Sequence, residues 1–316
     1  MSHEVETMAY ANAVPWHGIG TKVGGDVTAE EMLEAAGLNW KVKRHRMQAQ
    51  ADDGTIINIP GRYALIRDRD NKVMTITGDA WKPVQNSDIL AFMKQYVEAG
   101  GATLETAGAL RGGKTVWALA NLNHEFQAQP GDHVKGYLMM TTSHIVGIST
   151  KVATTSVRVV CANTLRAAES EADFHYTQNH LTPFNFDSAK VCIANAHESL
   201  SLAEKTSKVL VDLKLSADDA LRKVFAPVFL PNVDSDDFEV VLSSNQLPKT
   251  INEILDSYHN APGAQPGTGW GALNAVTHWA DHVAGRNTSS RLNNAWFGVN
   301  AKSKLKTEKV LLQLAD

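Results

Sequence analysis

The run from Gly136 to Ala167 constrains this chain more than any other stretch, because it is the densest concentration of strand-forming residues in the sequence. Its β-branched and aromatic side chains predict two strands, Tyr137 to Thr142 and Thr150 to Val160, joined through Ser143, His144 and Gly147. The pair reads as the central hairpin of a sheet. Asn163 or Thr164 can accept the free amides of a first helical turn, which predicts a short helix opening there. Arg158 alternates with Val157, Val159 and Val160, so a guanidinium sits on an otherwise apolar strand. Beside a helix N-terminus it suits an anion such as phosphate; as a core residue it needs a carboxylate.

The rest of the first half repeats this pattern. Thr28 and Glu31 form a Thr-x-x-Glu capping box ahead of Met32, Leu33 and Ala36, and Gly37 closes that helix. Strands follow around Trp40 to Gln48, Thr55 to Ile59, Tyr63 to Asp68 and Val73 to Thr77, separated by Asp- and Gly-rich turns. Asn86 or Ser87 caps a second helix whose buried face is Ile89, Leu90, Phe92, Met93 and Tyr96, ending at Gly100-Gly101. Thr103 to Leu110 and Thr115 to Leu122 make a hairpin through Arg111-Gly-Gly-Lys114, whose spacing is not that of a phosphate loop. Beyond Ala168 the periodicity becomes helical: Asp187 to about Leu215, a helix starting at Ser216 and stopped by Pro227 and Pro231, then Thr250 to His259, Trp270 to Val283 and Lys302 to Leu314. The expected fold is α+β, with an antiparallel β-meander sheet and packed helices over 1–170 and a mostly helical region over 171–316.

Charge is distributed unevenly. The net charge is −4, yet residues 1–170 balance 17 Lys+Arg against 17 Asp+Glu, so the acidic excess lies in the C-terminal region. Cys161 and Cys192 sit in apolar surroundings and read as thiols of a reducing compartment. No apolar run spans a bilayer, and the N-terminus lacks the basic-then-apolar order of a secretory signal. A cytoplasmic protein with no membrane partner is expected.

Three constellations could carry chemistry. His278 and His282 stand one helical turn apart, a chelating spacing, but the position of a hydrolytic base holds Trp279 and a third ligand would have to come from His175 or His180. Polar or stacked histidines are the commoner outcome, so no metal is expected. Cys161, His144 and Asn163 are the residue types of a thiol nucleophile with its base and orienter, though Cys161 ends a valine strand where a small buried hydrophobe is the default. The third set is Lys43, Arg44, Arg46, Arg62, Trp81, Lys82, Arg111, Lys114, Lys151 and Arg158. Cations beside an aromatic face on a sheet are the ingredients for holding single-stranded nucleic acid, phosphates on guanidiniums and bases on rings. Against this stands a core Trp81 and scattered, solvated cations.

Several segments together resemble one family: Pro15-Trp-His-Gly-Ile-Gly-Thr-Lys22, Pro60-Gly-Arg-Tyr-Ala-Leu-Ile-Arg67, Lys82-Pro-Val-Gln-Asn86, Glu105 to Gly113, Thr142-Ser-His144, Val157 to Leu165 and Arg291 to Gly298. They are similar to the phage/plasmid-like protein family built on a domain of unknown function. That resemblance implies a mobile-element setting and no activity. A looser likeness, in architecture alone, is to the phage single-strand annealing proteins of the Red-beta, RecT and Erf kind. The resulting expectation is a non-enzymatic protein of a phage or plasmid that binds or anneals single-stranded DNA, without cofactor or catalytic residues. It would self-associate into a ring or filament. The other readings are an inhibitor or structural protein acting through protein contacts, and a metal- or thiol-dependent hydrolase.

Overall fold

Thr28 accepts the amide of Glu31 while the Glu31 carboxylate accepts the amide of Thr28, so the predicted capping box is closed in both directions. The structure, a computed structural model, describes residues 5–12, 20–98, 101–158, 163–167, 175–230, 232–233, 247–285, 291, 294–295 and 298–316. Pro15 to His17, Gly100, Cys161 and Pro231 lie outside the described residues.

In chain order the elements are β1 (Val5–Tyr10), β2 (Thr21–Lys22), α1 (Ala29–Ala35), β3 (Val42–Gln50), β4 (Ile56–Arg67), β5 (Lys72–Thr77) and α2 (Asn86–Glu98). Then come β6 (Thr103–Leu110), β7 (Thr115–Gln129), β8 (Asp132–Ser143), β9 (Thr150–Arg158), β10 (Asn163–Ala167), β11 (His175–Gln178), α3 (Phe186–Ala194) and α4 (Ala196–Asp212). The chain ends with β12 (Lys214–Leu215), α5 (Ala217–Asp219), α6 (Ala226–Phe229), α7 (Lys249–Asn260), β13 (Gly267–Thr268), α8 (Gly269–His278) and α9 (Val299–Ala315). It is a mixed α/β protein whose described ladders are antiparallel apart from the short β1–β2 pair. Helices and strands are not sorted at residue 170: α1 and α2 precede it, and β11, β12 and β13 follow it. Among the described residues no helix is long and apolar enough to cross a membrane.

The chain forms two compact units that interleave: residues 1–123, 137–153 and 171–195 in one, and 124–136, 154–170 and 196–316 in the other. This division differs from the expected one in where 124–136, 154–170 and 171–195 are placed.

The first unit holds two sheets. In one, β3, β4 and β5 form a meander. In the other, β2, β1, β6, β7, β8 and β9 lie side by side, and β11 pairs with the first half of β9. Helices α1 and α2 pack on each other and on β6 through Met32, Ile89, Leu90, Phe92 and Met93, all buried. Arg67, at the end of β4, is only 2% exposed. It makes a two-pronged bond to Asp70 (2.6 and 2.9 Å), a third to Glu6 on β1 (3.0 Å), and its guanidinium lies 5.1 Å from the Trp40 ring. Gly113, in the left-handed region at φ +84°, gives Arg67 room where any side chain would strike it. Next to it, Lys72 donates to the carbonyl of Gly112 (2.9 Å). The Arg111–Lys114 turn is thus held by the meander.

In the second unit, Phe126, Ala128 and Val134 of the β7–β8 tip pack with Leu210, Phe225, Ile251, Ile254, Tyr258, Trp270 and Val276 into one core. Asp132, buried at that tip, accepts hydrogen bonds from Trp270 (2.8 Å) and Gln265 (3.1 Å). A second buried pair, Lys304 with Asp281 at 2.6 Å, joins α9 to the π turn Trp279–Val283. Arg291 donates to the carbonyls of His282, Val283 and Ala284, closing the open end of that turn.

Three local expectations fail. The segment opening at Asn163 is β10, pairing with β9 through Asn163 opposite Arg158, and not a helix. The cap residues were outweighed by an unpaired neighbouring strand, since an edge offers a whole row of hydrogen bonds and a cap only one or two. Pro227 does not stop its helix either. The π turn Ala220–Phe225 precedes it, with Ala226 N–H bonded to the carbonyl of Leu221, and the helix runs on through Pro227 as α6. The single helix expected from Asp187 to Leu215 is broken between α3 and α4 at Asn195.

Arg67→Ala is expected to lower unfolding stability by about 3–5 kcal/mol in urea titrations, because Glu6 and Asp70 lose their shared partner. Hydrogen bonding from Arg67 holds the Asp70 carboxyl down at about 2. Its contribution is therefore present above the ordinary carboxylate range and lost as pH falls from about 4 through 2. Asp70→Asn should remove that part of the acid transition.

Candidate nucleic-acid interface

Period-two alternation along β3 sends Val42, Arg44 and Arg46 to one face and Lys43 and His45 to the other. The β3–β4 register sets Arg44 opposite Leu65 and Arg46 opposite Tyr63. The Arg44 guanidinium carbon lies over the Tyr63 ring, 4.0 Å from its centroid. It also reaches the carbonyl of Gly78 (3.4 Å) and stands 4.0 Å from Asp79. Arg62 precedes Tyr63 where the ladder slips past Pro60-Gly61, with Gly61 at φ +67°. Arg46 and Arg62 are exposed, and among the described residues neither has an ion-pair partner. An aromatic ring under one guanidinium, with a second and exposed one across the ladder, can take a base on the ring and a phosphate beside it.

The other predicted residues are not gathered there. Lys43 points to the opposite face and pairs with Asp68 at 3.4 Å. Trp81 is buried, stacked 4.4 Å from the His180 ring, so no base can reach its face. Lys82 is exposed, but its backbone is fastened to His180 in both directions: its N–H donates to the His180 carbonyl (2.6 Å), and its carbonyl accepts from His180 Nδ1 (3.0 Å). Arg111 and Lys114 are half-buried in the β6–β7 turn, where the Lys114 carbonyl accepts from Ser143 Oγ and His144 N. Lys151 is half-buried on β9 opposite Thr177. Arg158 ends β9, and its side chain lies outside the described residues.

His144, the residue a thiol site would have needed as its base, is a buried core side chain. Asn86 donates to the carbonyls of Leu38 (3.0 Å) and Trp40 (3.2 Å), which leaves its side-chain oxygen to accept from His144 Nε2 at 2.9 Å. That fixes the proton on Nε2; Nδ1 is buried without a partner. Full burial pushes the imidazole down to about 3, with His180 and Arg67 adding to the shift, so it is neutral. Cys161 lies outside the described residues, as does the side chain of Asn163. On the second unit the His278 and His282 rings sit 5.0 Å apart, and His278 Nδ1 meets Ser257 Oγ at 3.1 Å. Burial and the neighbouring His282 lower the His278 pKa. Among the described residues no group of three or more His, Cys, Asp or Glu converges in metal-binding geometry.

Residues 73–296 match a family described as a domain of unknown function (DUF932). The chain belongs to that family. No curated protein and no solved structure matches it. The DUF932 match begins on β5, so Arg44, Arg46, Arg62 and Tyr63 all precede it, whereas Asn86, His144 and His180 fall inside. Sequence reasoning missed Tyr63 as the aromatic partner. Registering β3 on β4, which would have placed it opposite Arg46, was the available signal. Asn86 was read as a helix cap because its three side-chain partners come from two distant segments.

The neutral His144 gives a pH signature. Its folded pKa is depressed, so the contribution is complete above about 6.5 and is lost as pH falls toward about 3. Within that window unfolding stability should fall by ~1.4 kcal/mol per pH unit from this group alone, and His144→Gln should flatten the slope. Chemical denaturation at a series of pH values reads it directly.

Proposed function

We propose that this protein binds single-stranded DNA through the β3–β4 face, in the replication or recombination of a mobile element, without itself catalysing a reaction. The observation that carries the reading is the Arg44 guanidinium over Tyr63 with Arg46 across the ladder, exposed and without an ion-pair partner among the described residues; Arg62, also exposed, lies in the bulge that precedes Tyr63. A base can stack on such an aromatic, the Arg46 guanidinium can take the adjoining phosphate, and Arg62 supplies a further cation at the bulge. The mobile-element setting rests on the resemblance of the sequence motifs. In this reading the acidic second region serves assembly or partner contact and keeps the particle soluble.

A second reading, action through protein contacts alone, has support from the other face of the same meander. There Ile57, Val73 and Ile76 are 51%, 54% and 50% exposed, and all lie on that side of the ladder. Exposed apolar side chains on one sheet face favour a protein partner.

Oligonucleotide anisotropy as a function of salt separates the two. Wild type should show affinity falling steeply with salt, and Arg46→Ala with Arg62→Ala should flatten the log–log slope by about 1.4, ~0.7 for each phosphate contact removed. Tyr63→Ala should weaken binding by roughly 1–3 kcal/mol at every salt concentration. A wild type that produces no anisotropy change would sink the DNA reading in favour of the protein one.

A further inference from the structure

The β3 strand lies at the end of its sheet, and among the described residues no strand pairs with its outer edge. At one end the side chain of Gln85 closes it, accepting from Val42 N–H (3.0 Å) and donating to Val42 C=O (3.0 Å). Val42 therefore faces outward, and the alternation carries Arg44, Arg46, Gln48 and Gln50 outward with it. The inward bond of Ala51 N–H to the Thr55 carbonyl (2.9 Å) agrees with that phase at the far end. Among the described residues nothing bonds the outward N–H and C=O groups of these four residues. The segment also stands clear of its own unit: β5 pairs only with Tyr63 to Arg67 of β4, so the hairpin beyond Arg46 is two strands wide and exposed on both faces. A two-stranded ribbon is marginal by itself in water.

The charges on this hairpin are arranged head to tail. Lys43, Arg44 and Arg46 stand at its base, Asp52 and Asp53 at its tip. We propose that the β3 edge pairs antiparallel with the same edge of a second copy of this chain, about a two-fold axis passing through Gln48. In that register Arg46 stands opposite Gln50 of the other copy. Arg44 and Lys43 come level with its Asp52 and Asp53, twice over by symmetry. Centring the axis on Arg46 instead sets that arginine against its own copy, which like-charge repulsion disfavours. On the opposite face Met47 meets Ala49 of the second copy, so the apolar strip that includes Ile57 continues across the seam. The two meanders become one six-stranded sheet. An unrelated strand could use the backbone groups but would not supply this charge pattern, which is why a second copy is the occupant. The pairing does not rest on DNA binding and is measured without oligonucleotide.

Light scattering at tens of micromolar should give twice the chain mass of 34.3 kDa for wild type. Gln48→Pro removes an outward N–H, tolerated on an edge strand, and should give single chains with an unchanged far-ultraviolet spectrum and melting temperature. Asp52→Lys, on the exposed tip, should raise the dissociation constant at least tenfold at low salt, independently of any effect of proline on folding. Directly opposed hydrogen-bonded residues lie at disulfide distance, so Gln48→Cys should cross-link between chains on oxidation while Ile76→Cys, equally exposed on β5, should not. Single chains in the wild type overturn the proposal. So does a dimer that survives both Gln48→Pro and Asp52→Lys, or cross-linking that is no faster at Gln48→Cys than at Ile76→Cys.

Discussion

A guanidinium taken out of water has to be hydrogen-bonded on every side, and around Arg67 that requirement organises the first unit. Its partners arrive from three places in the sequence: Glu6 on β1, Asp70 in the turn after β4, and the ring of Trp40 ahead of β3. None of these is local except Asp70, so the charge is satisfied only when both sheets are in place. The pair thereby couples strand order to burial: a mispaired β1 would leave Arg67 short of an acceptor at a cost of several kcal/mol. Lys72 on the Gly112 carbonyl acts in the same direction on the neighbouring turn. Two residues that look like ligand-binding cations in a linear reading, Arg111 and Lys114, are fixed there as parts of a turn that this knot supports.

Asn86 and His180 follow a second rule, that a buried donor meets an acceptor. Asn86 answers it for two carbonyls and one imidazole at once. His180 does so with both ring nitrogens, at the Lys82 carbonyl and towards Thr150, and Thr150 also shares a hydrogen bond with Thr142 (2.7 Å). This network ties Thr142-Ser-His144 to Lys82-Pro-Val-Gln-Asn86. Their side chains are occupied in holding backbone segments together.

What the sequence made legible were the features decided within a few residues. The Thr28–Glu31 box, the apolar stripe of α2, the β6–β7 hairpin and the Ser216 cap, which accepts from Asp219 N–H, depend on local spacing, and all form as read. What failed depended on distant partners. Asn163 has helix-capping chemistry, yet it lies beside the open edge of β9 and pairs with it. Trp81 next to Lys82 looks like a nucleotide platform until His180, about a hundred positions away, covers its face. The candidate interface was half legible for the same reason: the cations of β3 were visible as a run, whereas the tyrosine they surround is reached only across the ladder.

The interleaving of the two units bears on how this chain can be taken apart. Strand β7 passes from one unit to the other at Asn123, β8 returns, and β9 crosses again after Ala153. A fragment ending at residue 170 would lose β11 and α3 from the first unit. It would also carry along the β7–β8 tip stripped of the helices that share its core. The complementary fragment would leave the Trp270 indole N–H without the Asp132 carboxylate that accepts its hydrogen bond. No single scission therefore releases a self-sufficient half. Fragments of this protein that behave well in solution would have to be made by excision and religation within three strands, and gene truncation series will report loss of folding where they are meant to report loss of a part.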